Sequence, residues 1–439
     1  MLYAPGVETR RRFLLVSANA LMRGRENTST SLRTKRSATA SWNKRNNVNL
    51  PLQSHPALYA AFDVYPSAKG AATHIQQAAQ TLFDAAGGGL LYVLGNERLP
   101  RFQREGAVEI LRFGRLLDNY LHRALAYSSE LQGVLERGLQ DSLKVAQFRD
   151  PWGGLPLVRR AAGRYRTLYE VNGLPSVELP MAYPNVGAAT LAKIRALEDE
   201  CLSRADRIVV PSGVIRDNLA RRGVAPERVS VIPNGTELNY GHARPEAAPK
   251  RYILYFGAVQ PWQGLDVLLR ALQRLQDIPD LHLVICCSVK SRRAKGYQKL
   301  AEKLDVAERT TWLHRLSREE LAPWVSNAYI SVAPLTECPR NIDQGCCPLK
   351  ILESMGAGVP VIASDLPVVR ELVEHRENGY LVAPERPAEL ARGLRVLLDY
   401  PDIVTQMGVA AQRKIAEGLQ WSHANAALQH IHEELIAGK

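Results

Sequence analysis

From Ala57 onward, short apolar runs recur along the chain, and each is followed by a stretch with helical spacing. Ala57–Val64 reads as a first strand, Ser67–Thr73 as a Gly/Ala loop, His74–Ala85 as a helix and Leu90–Leu94 as a second strand. Further strands are predicted at Ala107–Leu111, Val145–Phe148, Arg166–Glu170, Arg207–Val210 and Val229–Ile232. Helices fill the gaps, most clearly at Leu116–Leu139 and Ala188–Ala205. The polar segment Asn239–Lys250 carries two prolines and breaks the periodicity, so it is expected to be a linker. A second series then begins, with strands at Tyr252–Phe256, Leu281–Cys286, Thr310–Leu313, Ile330–Ala333, Val359–Ala363 and Gly379–Val382. Its helices are predicted at Leu265–Leu275, Tyr297–Leu304, Arg318–Val325, Pro348–Met355 and Val368–Val373. Such β–α alternation implies parallel sheets covered on both faces. Ligands of doubly wound sheets bind at the carboxyl ends of the strands.

Composition narrows the class without changing this outline. The chain has 439 residues, 46% of them hydrophobic and 23% charged, which suits two or three globular domains. No apolar run approaches the roughly 18 residues that a membrane-spanning helix needs. The net charge is +12, of which the first 50 residues carry +8. Those residues are rich in Ser, Thr, Asn and Arg and lack a sustained apolar period, so they are expected to form a disordered basic leader. The remainder is only mildly basic, which argues against nucleic acid as a partner. Six cysteines occur, none in a CxxC spacing, and they fit reduced thiols better than disulfides or zinc.

The densest chemistry lies in Gln344–Val373. Gly345–Pro348 reads as a loop that starts a helix, with Pro suited to the first position. A helix start presents backbone N–H groups and a positive dipole end, an anion site. Lys350 and Glu353 are three apart and share one helix face, so they can hold a diphosphate and a ribose diol, or simply pair with each other at the surface. His74, Arg149 and Asp150 lie near predicted strand ends; His74 also suits a packing or capping role, and Asp150 a turn. Asn172 and Glu178 flank a Gly-Leu-Pro turn, and Glu178 is a candidate to face an acceptor hydroxyl. Trp152 and Trp262 suit stacking on a sugar or base, or ordinary packing.

This block resembles the C-terminal domain of the family-4 (group 1) retaining glycosyltransferases, which have the GT-B fold. The resemblance rests on Glu353, MGAGVPVIAS, Glu371 and ENGYLV, and extends to ADRIVVPSGVIRDNLARRGVAPERVSVIPNGTEL, YFGAVQPWQGLDVLLRALQ, KGAATH and YEVNGLPSVEL. It implies two doubly wound, Rossmann-like α/β domains facing across a cleft. Residues 51–240 would form the acceptor-side domain and 241–420 the nucleotide-sugar domain, with 421–439 a C-terminal helix able to pack back on the first. The implied catalytic set is Lys350, Glu353, Asp150 and His74. The implied donor-binding set is Gly257, Gln263, Gly345, Cys346, Cys347, Pro348, Leu349, Glu371, Lys290 and Arg292. Gly70, Arg149, Asn172 and Glu178 fall on the acceptor side. Three positions depart from the family pattern. Its first glutamate falls on Gly345, so that contact passes to the backbone N–H groups of Cys346 and Cys347. Its phosphate-gripping Arg and Lys fall on Ala258 and Gln263, which leaves Lys350 as the first choice of cation, then Lys290, Arg292 and Arg293.

The expected activity is transfer of a sugar, hexosyl or related, from a nucleoside-diphosphate sugar to an acceptor hydroxyl with retention. No obligatory cofactor or metal is expected. The expected location is cytoplasmic, compatible with peripheral contact at the inner membrane face. The competing expectations are a catalytically silent nucleotide-sugar-binding protein and an epimerase or phosphorylase of the same architecture.

Overall fold

The computed structural model describes residues 54–67 and 70–438. The expected leader, residues 1–50, lies outside the described residues, as does Lys69 of the KGAATH segment. The first sheet contains β1 (Ala57–Val64), β2 (Gly89–Leu94), β3 (Phe102–Glu105), β4 (Val108–Phe113), β5 (Val145–Phe148), β6 (Arg166–Glu170), β7 (Arg207–Val210) and β8 (Val229–Val231). Their order is β3-β4-β2-β1-β5-β6-β7-β8. The second contains β9 (Arg251–Gly257), β10 (Leu281–Cys287), β11 (Thr310–His314), β12 (Ile330–Ala333), β13 (Val361–Ser364) and β14 (Gly379–Val382), in the order β11-β10-β9-β12-β13-β14. Two parallel-sheet α/β domains result, as the alternation of apolar runs and helical stretches implies.

The central strands are apolar on both faces because helices cover both. In β2 and β12 every residue is buried, and in β9 the run Tyr252–Phe256 is. β9 pairs in register with β10, from Arg251 opposite Leu281 to Gly257 opposite Cys287. The helix Leu265–Gln273 turns Leu265, Leu268, Leu269 and Leu272 into this core. Beyond the expected elements, β3 is an antiparallel edge strand against β4. Its half-buried FQRE has too few apolar residues to announce a strand. The first helix spans Gly70–Ala86, so its opening turn occupies part of the expected loop. The helix expected over Val368–Val373 is a single turn, Pro367–Arg370.

The described chain divides into two compact units, one of residues 54–67, 78–168 and 431–438, the other of 70–77 and 169–430. Strand β6 carries the division. Residues 169–240 belong with the second unit because their side chains and backbone are tied to its loops, for example Asn234 Nδ2 to the Cys347 carbonyl at 2.9 Å and the Leu174 N–H to Gln344 Oε1 at 2.9 Å. The C-terminal helix Trp421–Ile436 places His432 Nε2 2.6 Å from Gln147 Oε1 within the first unit.

Candidate active site

In the second sheet, β10 and β11 lie to one side of β9 and β12–β14 to the other, so the strand order reverses between β9 and β12. Carboxyl ends at such a reversal form a ligand crevice. β9 ends at Gly257 and β12 at Ala333. Gly264, at φ +67, lies so close under the next residue that a Cβ there would fall 1.7 Å from the Pro334 carbonyl oxygen.

Lys350 enters this crevice from the first turn of the helix Leu349–Gly356. Its Nζ stands 4.1 Å from the centroid of the Tyr255 ring, and a Cβ at Gly257 would lie 3.8 Å from it. The ammonium is enclosed and has no hydrogen-bond partner among the described residues. Burial lowers its pKa from 10.5 to about 7; the Glu353 carboxylate opposes the shift and the Arg340 guanidinium adds to it. An enclosed cation facing one aromatic ring is a poor structural element and a good anion receptor. Glu353, one turn on, is itself pushed up by burial, a shift countered by Arg318 at 3.9 Å and by Lys350. Gln263 Oε1 is a second enclosed polar atom without a partner, in the loop after β9 where the family pattern carries Lys.

The loop before that helix is held by the segment 172–178. A π-turn, Arg340–Gln344, precedes Gly345, and the Arg340 carbonyl accepts the Gly345 N–H at 3.0 Å. Arg340 Nε donates to Glu178 Oε1 at 3.0 Å, Gln344 Nε2 donates to the same oxygen at 3.1 Å, and the guanidinium stands 5.7 Å from the Trp262 ring centroid. Glu178 is thus engaged with the turn that precedes the helix Leu349–Gly356. Gly345 has φ +92, and a Cβ on it would meet Ile215 Cγ1 at 2.8 Å and Ile215 N at 2.9 Å. That close approach explains glycine where the family pattern has its first glutamate. Cys346 and Cys347 are buried, and burial pushes both thiols up, Cys347 to about 12, so neither is a nucleophile. Pro348 is the residue before the helix rather than its first turn, and Leu349 Cδ1 lies 3.0 Å from where a Cβ on Gly70 would sit.

The other expected residues are dispersed. Glu371 accepts the N–H groups of Gly213 at 3.2 Å and Val214 at 3.0 Å, at the start of the helix Gly213–Arg221. Lys290 and Arg292 are exposed, at the start of the helix Ser291–Lys303. His74 Nδ1 lies 3.0 Å from Glu170 Oε1, and Asn172 donates to the same carboxylate oxygen. In the first unit, Asp150 caps the helix Pro151–Ala161 through Gly153 N at 2.9 Å and also accepts the Phe62 N–H at 2.7 Å. Burial raises its pKa to about 6, against these two hydrogen bonds. Arg149 stands 3.8 Å from Asp63. Trp152 is buried, with Nε1 donating to the Tyr120 hydroxyl at 3.1 Å. Tyr255, Arg340, Arg318 and Glu170 escape sequence reasoning. Tyr255 reads as core, and the other three lie in segments whose pairing only folding reveals.

Among the described residues no group of acidic, His or Cys side chains is arranged to hold a metal ion, and no helix is long and apolar enough to cross a membrane.

Known families match both halves of the chain. Residues 242–414 match the family described as Glycosyl transferases group 1, and residues 68–240 match Glycosyltransferase Family 4. A D-inositol 3-phosphate glycosyltransferase of Thermobispora bispora is 30% identical over 263 residues, 55% of this chain and 59% of that protein. The chain thus spans little more than half the length of the curated relatives it matches. Among solved structures, sucrose-phosphate synthase from Thermosynechococcus elongatus superposes with a TM-score of 0.71 at 18% identity, covering 87% of this chain and 100% of that one. HepE of Anabaena, solved in complex with UDP-glucose, gives a TM-score of 0.65 at 15% identity, covering 86% and 99%. The two family matches between them take in every candidate residue from Gly70 to Glu371, so the chain belongs to the family-4 (group 1) glycosyltransferases and has their GT-B fold.

Proposed function

We propose that the protein transfers a sugar from a nucleoside-diphosphate sugar to an acceptor hydroxyl, with retention at the anomeric carbon. The observation that carries this reading is the enclosed, unpartnered Lys350 ammonium at the strand-order reversal, beside Gly257 and above the Tyr255 ring. Glycosyl transfer needs charge stabilisation where the diphosphate leaves, and a preorganised cation in a water-poor site supplies it. The Leu349–Gly356 helix start adds N–H groups of the same polarity. Glu353, one turn along, is assigned to the ribose hydroxyls. With the cation provided by the protein, no divalent metal is required. The reading locates the enzyme in the cytoplasm.

HepE was solved with UDP-glucose, which makes that donor the first to test here. Purified protein is offered UDP-glucose, UDP-N-acetylglucosamine and GDP-mannose with a panel of hydroxyl acceptors, and nucleoside diphosphate release is followed. Sugar transfer with an α-linked product, undiminished by EDTA, is expected. A β-linked product would refute retention, and activity restored only by Mg²⁺ or Mn²⁺ would refute metal independence. Ala258, Gln263 and Gly345 favour a second reading, a protein that binds nucleotide sugar without turning it over. Tight UDP binding with no turnover on any donor would establish it.

A further inference from the structure

The first sheet has a strand-order reversal of its own. β2, β4 and β3 lie to one side of β1 and β5–β8 to the other, so the order reverses between β1 and β5. Carboxyl ends at such a reversal form a ligand crevice. β1 brings Phe62 and Asp63 to this end, and Arg149 follows β5. The helix Tyr120–Glu136 starts here after β4, with Asn119 as its cap and Arg123 in its first turn. The Tyr120 ring meets Phe62 edge-on, with centroids 5.5 Å apart, and its hydroxyl accepts the Trp152 N–H at 3.1 Å, so the helix start is fixed against β1 and the segment after β5.

Arg123 lacks a counter-charge. Its guanidinium stands 5.8 Å from the centroid of the Phe62 ring, and Nη1 donates to the Leu117 carbonyl at 3.0 Å. Nε is enclosed without an acceptor, and among the described residues no carboxylate forms an ion pair with the group. Other arginines of this unit that are partly withdrawn from water are answered differently. Arg101 faces Glu130, Arg160 faces Glu136, and Arg149 stands 3.8 Å from Asp63. Arg112 donates to the Tyr65 and Pro100 carbonyls and to Gln103. Asp150 is occupied by the Gly153 and Phe62 N–H groups. A ring holds a guanidinium in place without neutralising it.

We infer that Arg123 is the anion-binding residue of a second site, at the reversal between β1 and β5, and that this site takes a sugar or polyol carrying a phosphate or carboxylate group. The planar fork of the guanidinium matches two oxygens of either group. The start of the helix Tyr120–Glu136 adds a positive dipole end. Asp63, 42% exposed, offers carboxylate oxygens to the hydroxyls of the same ligand. The partly exposed rings of Phe62 and Tyr120 offer an apolar wall to its C–H groups. Calling this ligand the acceptor rests on the proposed transferase activity; the anion site itself does not.

The test is titration calorimetry of the full-length protein with glucose 6-phosphate, glucuronate and glucose at matched ionic strength. The wild type is expected to bind glucose 6-phosphate or glucuronate at least about 10-fold more tightly than glucose. Arg123→Gln should weaken the anionic ligand by on the order of 10-fold to 100-fold, the loss of one charge-assisted contact, and leave glucose binding as it was. Arg123→Lys keeps the charge without the fork and should fall between the two. Lys350→Ala should leave these affinities unchanged, because Lys350 belongs to the other unit. Absence of any preference for the anions in the wild type overturns the inference, as does anion binding indifferent to both Arg123 variants, or lost in Lys350→Ala instead. Binding needs neither donor nor turnover. A protein that holds the anion through Arg123 and transfers no sugar would sink the proposed function alone. Transfer to glucose as readily as to glucose 6-phosphate, indifferent to Arg123→Gln, would sink this inference alone.

Discussion

An ammonium group enclosed without a partner is costly to keep, and at Lys350 the cost is concentrated beside the carboxyl end of a central strand. If the group meets charge that develops on a leaving diphosphate, its contact strengthens in the transition state. Lys350→Ala and Lys350→Gln should then lower kcat by about 10²-fold to 10³-fold, the range for loss of one preorganised donor, with Lys350→Gln giving no rescue. Steady-state kinetics on a turned-over donor checks this. The same residue sets a pH dependence. Its folded-state pKa is about 7, below the ordinary 10.5, so the free protein carries the cation below about pH 7 and loses it above. Donor kcat/KM should therefore fall as pH rises through about 7, and that limb should vanish from the residual activity of Lys350→Ala. Stability runs the opposite way. Between about 7 and 10.5 the unfolded chain binds this proton and the folded chain does not, so the penalty is full below pH 7 and fades toward 10.5. Lys350→Met should melt higher than wild type near pH 6, with the gap closing by about pH 10 in calorimetric scans. The helix start that carries Lys350 was legible in the sequence, because Pro348 stands just ahead of it. Its shelf, Tyr255, was not, since an aromatic residue in the apolar run Tyr252–Phe256 looks like any other core residue.

The element that matters most is the turn and helix from Arg340 to Gly356. Its helix was readable from proline, apolar spacing and the small residues that follow. The π-turn before it was not, because it depends on Arg340 reaching Glu178 and on Gly345 fitting against Ile215, partners more than a hundred positions away. Two glycines make this packing testable. Gly345→Ala places a Cβ 2.8 Å from Ile215 Cγ1 at φ +92, and should cost roughly 1–3 kcal/mol and most of the activity. Gly264→Ala sets a Cβ 1.7 Å from a backbone oxygen, which no side-chain movement relieves, so it should destabilise more than Gly345→Ala. Urea unfolding of the two variants decides the order, and an equal or reversed order would mean that the loop after β9 yields more readily than the packing of Gly345.

Across the whole molecule, the residues proposed to bind the donor sit in one compact unit, 70–77 with 169–430, and that has a measurable consequence. UDP at 100 times its Kd should stabilise the folded protein by about 2.7 kcal/mol through mass action. Hydrogen exchange should then slow most at Gly257–Gly264 and Gly345–Gly356, with β2 and β4 unaffected by direct contact. Protection confined to β2 and β4 would move the nucleotide site to the first unit.

The sequence by itself determined the alternation of strands and helices, the doubly wound class and the helix that carries Lys350 and Glu353. Those follow from local periodicity and from proline and glycine chemistry, which act over a few residues. Tertiary structure alone decided which charges meet. Glu178 reads as a candidate to face an acceptor hydroxyl, and the fold brings Arg340 to it. Glu371, placed on the donor side by the resemblance, accepts the N–H groups of Gly213 and Val214, more than a hundred and fifty residues earlier. Glu170 ends an apolar strand and faces His74, nearly a hundred residues earlier. A carboxylate pairs with whichever donor the fold brings within hydrogen-bond reach, and that distance is set by the strand order of the sheets, which no local pattern encodes.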